Sequence, residues 1–544
     1  MMSWSSPLKL AAVVLALSIA GAGQGNSTVA PGEGWQIAGT LISAADGQGL
    51  SHARVTLSST SDRDFVQSIL TGSDGRFMFR GLAAGKYVLG ARRSGFVPQG
   101  YQQHGAFFTG IAVGPGLPVP RLLFRLQPES VISGKIVDEA GDPVRDGRVI
   151  LLHKALVNGE WATRVADSAA TDDLGAYHFG QLPAGIYFVS VSAQPWYARH
   201  AVPGGGRDAD PSALDVAYPV TYYQGATDPG DATPIDLQAG ERAAADITLT
   251  AIPAQHIILR LPEDSSESAF SAVLMQRVAD ASTVSVATAF QKVAPGVYES
   301  TGVPPGQFEM ELQGEVAPGK QPTERTRAVE VGKGQAEVDL NEPSSLASVS
   351  GRVSFVAGAR TGQTQGIMLV RPHSRDSYWA KISEHNNFAF EKPMPPGAYE
   401  VVANSNGETF IAGITASGAS VRGRTLDITG SEPVKLSIVL ASGIAQVTGT
   451  AVREGKPVSG ALVMLVPADA ANNLPLLRAD QSDSDGTFAL RAVVPGRYTV
   501  VAVDNGWGLE WRNPAALKPY LAHGEPLVIA PAARYNIRAT VQDF

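Results

Sequence analysis

Cysteine is absent from all 544 residues. That excludes disulfides, thiolate metal ligands, cysteine nucleophiles and lipid attachment at an N-terminal cysteine. Charge is sparse at 17% of residues, the net charge is −8, and no run of Lys or Arg occurs. Nucleic-acid binding leans on clustered cations that neutralise phosphates, so no nucleic-acid partner is expected. Beyond residue 22 no segment approaches the ~18 apolar residues of a spanning helix, and none carries a persuasive helical period. The signatures of catalysis are missing as well. None of the nine histidines is followed three residues later by Glu, the nearest approach being His373-Ser-Arg-Asp376. His-Glu-x-x-His, Gly-x-Ser-x-Gly, Walker and Gly-x-Gly-x-x-Gly patterns do not occur, which removes the common zinc, serine-nucleophile and nucleotide chemistries. The chain reads as a non-enzyme without cofactor or metal.

What is present begins with an export signal. Lys9 precedes the apolar run Leu10–Ala20, too short to cross a bilayer comfortably, and Ala20-Gly21-Ala22 supplies small residues for cleavage. Residues 1–22 are read as a signal peptide and 23–34 as a linker. The protein is expected outside the cytoplasm, in the periplasm, at the cell surface or in the medium, with no membrane span after cleavage. An exported chain without cysteine points toward a bacterium.

A single cassette then recurs. Gly175–Val191 alternates Tyr177 and Phe179, turns at Leu182-Pro-Ala-Gly185, and alternates Tyr187, Val189 and Val191. Period-two apolar spacing about a Pro/Gly turn predicts a half-buried β-hairpin. Copies carry Phe77, Phe79, Gly85 and Tyr87; Phe388, Phe390, Gly397 and Tyr399; and Phe488, Leu490, Gly496 and Tyr498. A worn copy carries Tyr298, Pro305, Gly306 and Phe308. From opening glycine to cassette tyrosine the separations are 48 (Gly39), 53 (Gly134), 48 (Gly351) and 49 (Gly449). A seven-strand sandwich takes about 100 residues. The fold class is therefore all-β: a tandem array of about five Ig-like β-sandwich domains. They fall at 35–127, 128–252 with a long aromatic tail, 253–343 in degenerate form, 344–441 and 442–544. With 58 Gly, 36 Pro and 44% hydrophobic residues, the chain is turn-rich yet able to bury real cores.

The opening Gly-x-Val/Ile, the turns Gly141-Asp-Pro-Val and Gly455-Lys-Pro-Val, the Asp-x-x-Gly-x-Tyr/Phe hairpin entry and Leu-Pro-x-Gly-x-Tyr resemble the carboxypeptidase regulatory-like domain. That family implies a prealbumin-like sandwich related to Cna B-type and starch-binding-like modules. Domains two and five match best and three poorly. Thr221-Tyr-Tyr-Gln-Gly-Ala-Thr-Asp-Pro also resembles exported multi-repeat proteins of this kind, especially from Acidobacteria. The resemblance extends to the accessory domain and not to the peptidase it is named after.

Two features invite a chemical reading. Asp483-Ser-Asp-Gly486 resembles the start of a calcium loop, but position twelve would be Val494 in place of Glu. A hairpin turn is the better reading. The cassette tyrosines are assigned to the core, their hydroxyls bonded to nearby backbone as in a tyrosine corner, and Phe308 lacks that hydroxyl. For binding, aromatic rings among Pro and Gly suit the apolar faces of sugars. The candidates are Trp196, Tyr197, Tyr222 and Tyr223 with Gln224 and Asp228, and secondarily Trp507 and Trp511. The expected function is an exported non-enzymatic binding protein whose partner is a polysaccharide or cell-envelope component. The alternative is a structural or adhesive spacer that contacts proteins. An exposed aromatic platform favours the first, and aromatics buried at domain junctions favour the second.

Overall fold

The computed structural model describes residues 34–198, 214–260 and 270–544, except 281, 287, 315–323, 333–335, 340–345, 357–358, 360–363, 373–376, 406 and 408. The segment read as a signal peptide, nearly all of that read as a linker, His373–Asp376 and residues 199–213 of the aromatic tail lie outside the described residues. The described chain forms two compact units, one of residues 129–155 and 162–344, the other of 34–128, 156–161 and 345–544.

Within the second unit, the sandwich at the start of the chain shows the plan. One sheet runs Arg76–Leu82, Trp35–Ser43, Arg121–Leu126; the other runs Val66–Leu70, Arg54–Ser59, Gly85–Arg92, with Ile111–Val113 also on Gly85–Arg92. Phe77, Phe79 and Leu82 are buried, whereas Arg76, Met78 and Arg80 face water. Each such apolar side chain contributes about 1.5–3 kcal/mol when fully buried. The opening strand pairs in parallel with the closing strand, Gly39 opposite Leu122. The same parallel pairing joins Val349–Val356 to Val434–Ser442 and Ala445–Arg453 to Arg534–Gln542. In the other unit it joins Ser130–Val137 to Arg242–Ala244 and Gln255–Arg260 to Ala336–Asp339.

The opening glycines have a steric cause. Gly39, Gly134, Gly351 and Gly449 lie opposite Phe77, Tyr177, Phe388 and Phe488 in the antiparallel ladder. In each case the partner's ring crosses the glycine. A Cβ on Gly449 would lie 2.6 Å from the Phe488 ring and 2.3 Å from the Ile537 carbonyl, and one on Gly351 would meet Phe388 and the Leu436 carbonyl at 2.6 and 2.3 Å. Only glycine lets the aromatic lie flat across the sheet, which is how a ring covers a glycine in a strand.

The cassette tyrosines share one bond. The hydroxyls of Tyr87, Tyr187, Tyr399 and Tyr498 donate to the carbonyls of Ala83, Pro183, Pro395 and Val494, four residues earlier, at 2.9, 2.9, 2.6 and 2.7 Å. The ring fills the core and the hydroxyl ties down the hairpin turn. Tyr399→Phe should therefore keep the packing and cost about 1 kcal/mol, the net worth of one hydrogen bond. A thermal melt of the variant checks this; an unchanged midpoint would remove the tyrosine's role in the turn.

The third sandwich is complete as two four-stranded sheets, Ala289–Ala294, Val297–Val303, Gln255–Arg260, Ala336–Asp339 and Ser282–Val286, Phe270–Ala279, Gly306–Gly314, Glu324–Val331. It has lost two linked features. Tyr298 lies opposite Leu259 in place of glycine, and its ring stacks on Phe290 at 5.2 Å. Phe308 holds the cassette tyrosine's place in the core without a hydroxyl. Phe308, Met310 and Leu312 are buried on one face of their strand, as their alternation with Glu309 and Glu311 predicts.

Two short helices depart from the sequence expectation, Ala470–Asn473 and a longer one. Pro514–Leu521 is a helix, with Asn513 accepting from the Ala515 amide at 3.1 Å and proline in its first turn. Eight residues are too few to display a helical period, and the signal lies in the cap instead.

Candidate functional site

The six candidate binding residues in the tail of the second sandwich do not form one platform. In the tail of the second sandwich Trp196 is 81% exposed, its ring edge-on to Tyr197 at 5.7 Å. Tyr197 is half-buried and its hydroxyl donates to the Glu139 carboxylate. Tyr222 is only 2% exposed, and its hydroxyl donates to the Val278 carbonyl at 2.9 Å. Ile150, Leu152, Val220 and Tyr222 belong to one hydrophobic cluster with Ile257, Leu274, Phe308 and Val331. The second and third sandwiches therefore share a core, and Tyr222 sits in it. Tyr223 is half-buried against the second sandwich's own core. Gln224, at φ 69°, accepts from the Thr233 hydroxyl, and Asp228 accepts from the Gly230 amide at 2.7 Å, capping the turn Pro229–Asp231. These two polar groups hold their own loop.

Trp507 and Trp511 lie in the other unit, where the first and fifth sandwiches meet. Trp507 stacks on His104 at 4.8 Å and 5° and donates from Nε1 to the Gly460 carbonyl at 3.0 Å; Phe107 packs beside it. Trp511 is buried among Leu462, Met464 and Leu517. His104, Phe107, Trp507 and Trp511 line a cleft of about 230 Å³, below the ~300–1,000 Å³ of usual small-molecule pockets.

Polar bonds fix this joint. Gln481 donates from Nε2 to the Gln102 carbonyl and to Thr109 Oγ1, both at 2.7 Å. Its Oε1 thus faces His104 Nδ1 at 3.1 Å, which assigns the proton to Nδ1. Burial pulls the His104 imidazole below its ordinary range, against the opposing Gln481 bond. Asp483 accepts from the Gly110 amide at 2.8 Å and from Lys86, and Ser484 Oγ accepts from the Ala112 amide at 2.8 Å. Burial raises the Asp483 carboxyl, with Lys86 opposing. Asp483-Ser-Asp-Gly486 closes as a hairpin turn, the Gly486 amide donating to the Asp483 carbonyl at 2.8 Å. Among the described residues no three His, Cys, Asp or Glu side chains are placed to hold a metal. No described helix is long and apolar enough to cross a membrane.

His104, Lys86 and Gln481 escaped the sequence reading. His104 and Gln481 are 377 positions apart, and neither belongs to a motif.

Residues 36–127 match the model of the carboxypeptidase regulatory-like domain. No curated protein matches the chain in sequence. Among solved structures, the Bacillus anthracis TIE protein is 13% identical over 56% of this chain and 50% of its own, with a TM-score of 0.18; the chain thus spans half of its length. The shaft pilin SpaA from Lactobacillus rhamnosus GG is 8% identical over 40% of this chain and 98% of its own, at 0.19. The minor pilin of Streptococcus agalactiae is 13% identical over 43% and 100%, at 0.21. At those scores the likenesses carry no argument about function. The chain is all-β, and its first sandwich, at residues 36–127, is similar to the carboxypeptidase regulatory-like domain.

Proposed function

We propose that the chain is an exported, non-catalytic structural protein whose sandwiches act as spacers and as surfaces for protein contact. One observation supports this most directly: two of the candidate rings are spent on joints. Tyr222 lies in a core shared by two sandwiches and Trp507 in the seam between two others. Contact with partners then falls to sheet edges. Val66–Leu70 is an edge strand whose Val66 and Leu70 are 59% and 62% exposed, a geometry that accepts an added strand.

A second reading, polysaccharide binding, rests on Trp196, which offers an open indole face beside Tyr197. Sedimentation with insoluble polysaccharides and a glycan array separate the two. The structural reading expects no retention by the intact chain and identical behaviour of Trp196→Ala. Retention that disappears in a folded Trp196→Ala/Tyr223→Ala variant would replace it with the carbohydrate reading.

A further inference from the structure

His256 opens the third sandwich at a bulge. The register of Gln255–Arg260 against Val297–Val303 shifts between Gln255 and Ile257, and such a bulge re-aims the side chain it carries. Both ring nitrogens are engaged: Nδ1 lies 2.6 Å from Glu299 Oε1 and Nε2 lies 2.6 Å from Asp215 Oδ2. Glu299 belongs to the third sandwich. Asp215 belongs to the tail of the second, where Val216–Ala217 pairs with Ile252–Pro253 and the Asp215 carbonyl accepts from the Ala254 amide at 2.8 Å.

A neutral imidazole has one N–H and one lone pair. It can donate to one carboxylate only, and its lone pair would then face the other. Two ionised carboxylates on one ring therefore require the imidazolium. We propose that His256 is a proton-operated clasp: doubly protonated, it fastens the tail segment Asp215–Ala217 to the third sandwich, and on losing a proton it lets that segment go.

The surrounding groups agree. Burial pulls the imidazole down, but the bonds and charges of Glu299 and Asp215 outweigh it, and the ring is held above its ordinary range. Glu299 is also reached by Gln291 Nε2 at 3.3 Å. Among the described side chains, the other charged groups on these strands are Lys292 on Ala289–Ala294, opposite Tyr298, and Arg260 at the far end of the His256 strand, which pairs with Glu337 on Ala336–Asp339. A histidine raised on folding adds stability that is complete below its unfolded pKa of about 6.5 and lost as pH rises through the folded value. The clasp is thus closed in mild acid and open in alkali.

The test is hydrogen exchange of the full chain at pH 6 and pH 9, corrected for intrinsic rates, read by mass spectrometry over 214–217 and 252–258. The wild type is expected to open at least tenfold more at pH 9. His256→Gln should be open at both pH values, with no step. Equal protection of the wild type at both, or a step of the same size in His256→Gln, overturns the clasp. Should His256→Gln fail to fold, Asp215→Asn keeps the ring and removes one carboxylate. Its step should shrink, and an unchanged step there refutes the clasp equally.

Discussion

Gly449→Ala is expected to destabilise the fifth sandwich by about 3 kcal/mol or more, the upper end of what overpacking costs. One added methyl group meets two obstacles at once. The Phe488 ring at 2.6 Å can turn only by leaving its core site, and the Ile537 carbonyl at 2.3 Å belongs to the parallel closing strand and cannot turn at all. Relief means prising apart the two strands that hold the sandwich shut. A domain's whole stability is about 5–15 kcal/mol, so this single methyl group removes a large share. Gly90→Ala is the control: its nearest neighbour would be a carbonyl at 4.0 Å, and a change within about 0.5 kcal/mol is expected. Because several sandwiches unfold in one chain, the readout must be local. Hydrogen exchange over Ala445–Arg453 and Thr487–Val493 should rise sharply in Gly449→Ala and stay at wild-type level in Gly90→Ala. Equal protection in both variants would refute the steric account of the opening glycine.

Replacing Tyr222 is the second large effect. Tyr222→Ala deletes a ring from the middle of a core that two sandwiches share, a loss of about 3–5 kcal/mol for a buried aromatic. Tyr222→Phe leaves the ring and strips the hydroxyl from the Val278 carbonyl, at about 1–3 kcal/mol if that carbonyl stays buried without a partner. The two differ in kind as well as size. Sandwiches joined through a large apolar core unfold together, whereas thin polar contacts allow independent motion. Calorimetry should therefore show the second and third sandwiches melting as one transition in the wild type and in Tyr222→Phe, but as two in Tyr222→Ala. One transition at the wild-type midpoint in Tyr222→Ala would mean that the ring is not what couples them.

These cases mark what a sequence can disclose about this fold. The hairpin cassette was legible because its causes are local: alternation over a few residues, a left-handed glycine such as Gly75 or Gly175 at the entry, and a hydroxyl reaching back four positions. The glycine at each opening was visible as a repeat, but its reason lies across the sheet in an aromatic some forty residues on. The aromatic tail stands out in the sequence, where a ligand platform and a domain junction both remain open as its destination. Nothing near Tyr222 announces that Val278 and Phe308 will surround it, because that environment is supplied by another sandwich. Trp507 presents the same problem at greater distance, since its stacking partner is His104. Short aromatic loops thus read alike whether they face a ligand or a neighbouring domain. Burial tells them apart, and burial is a property of the assembled chain. The worn third repeat makes the converse point. Leu259 replaced glycine and Phe308 replaced tyrosine, yet both sheets formed, because alternation and register outlast the motif that first revealed them.

The parallel pairing of opening and closing strands has a mechanical consequence. In each sandwich the strand by which the chain enters and the strand by which it leaves are hydrogen-bonded neighbours pointing the same way. Tension on the two ends pulls these strands past each other along their length. The bonds between them are then loaded together in shear, and none can be opened first as in a zip. A sandwich built this way resists stretching along its own strands, and it does so through backbone geometry that tolerates wide change in the side chains around it.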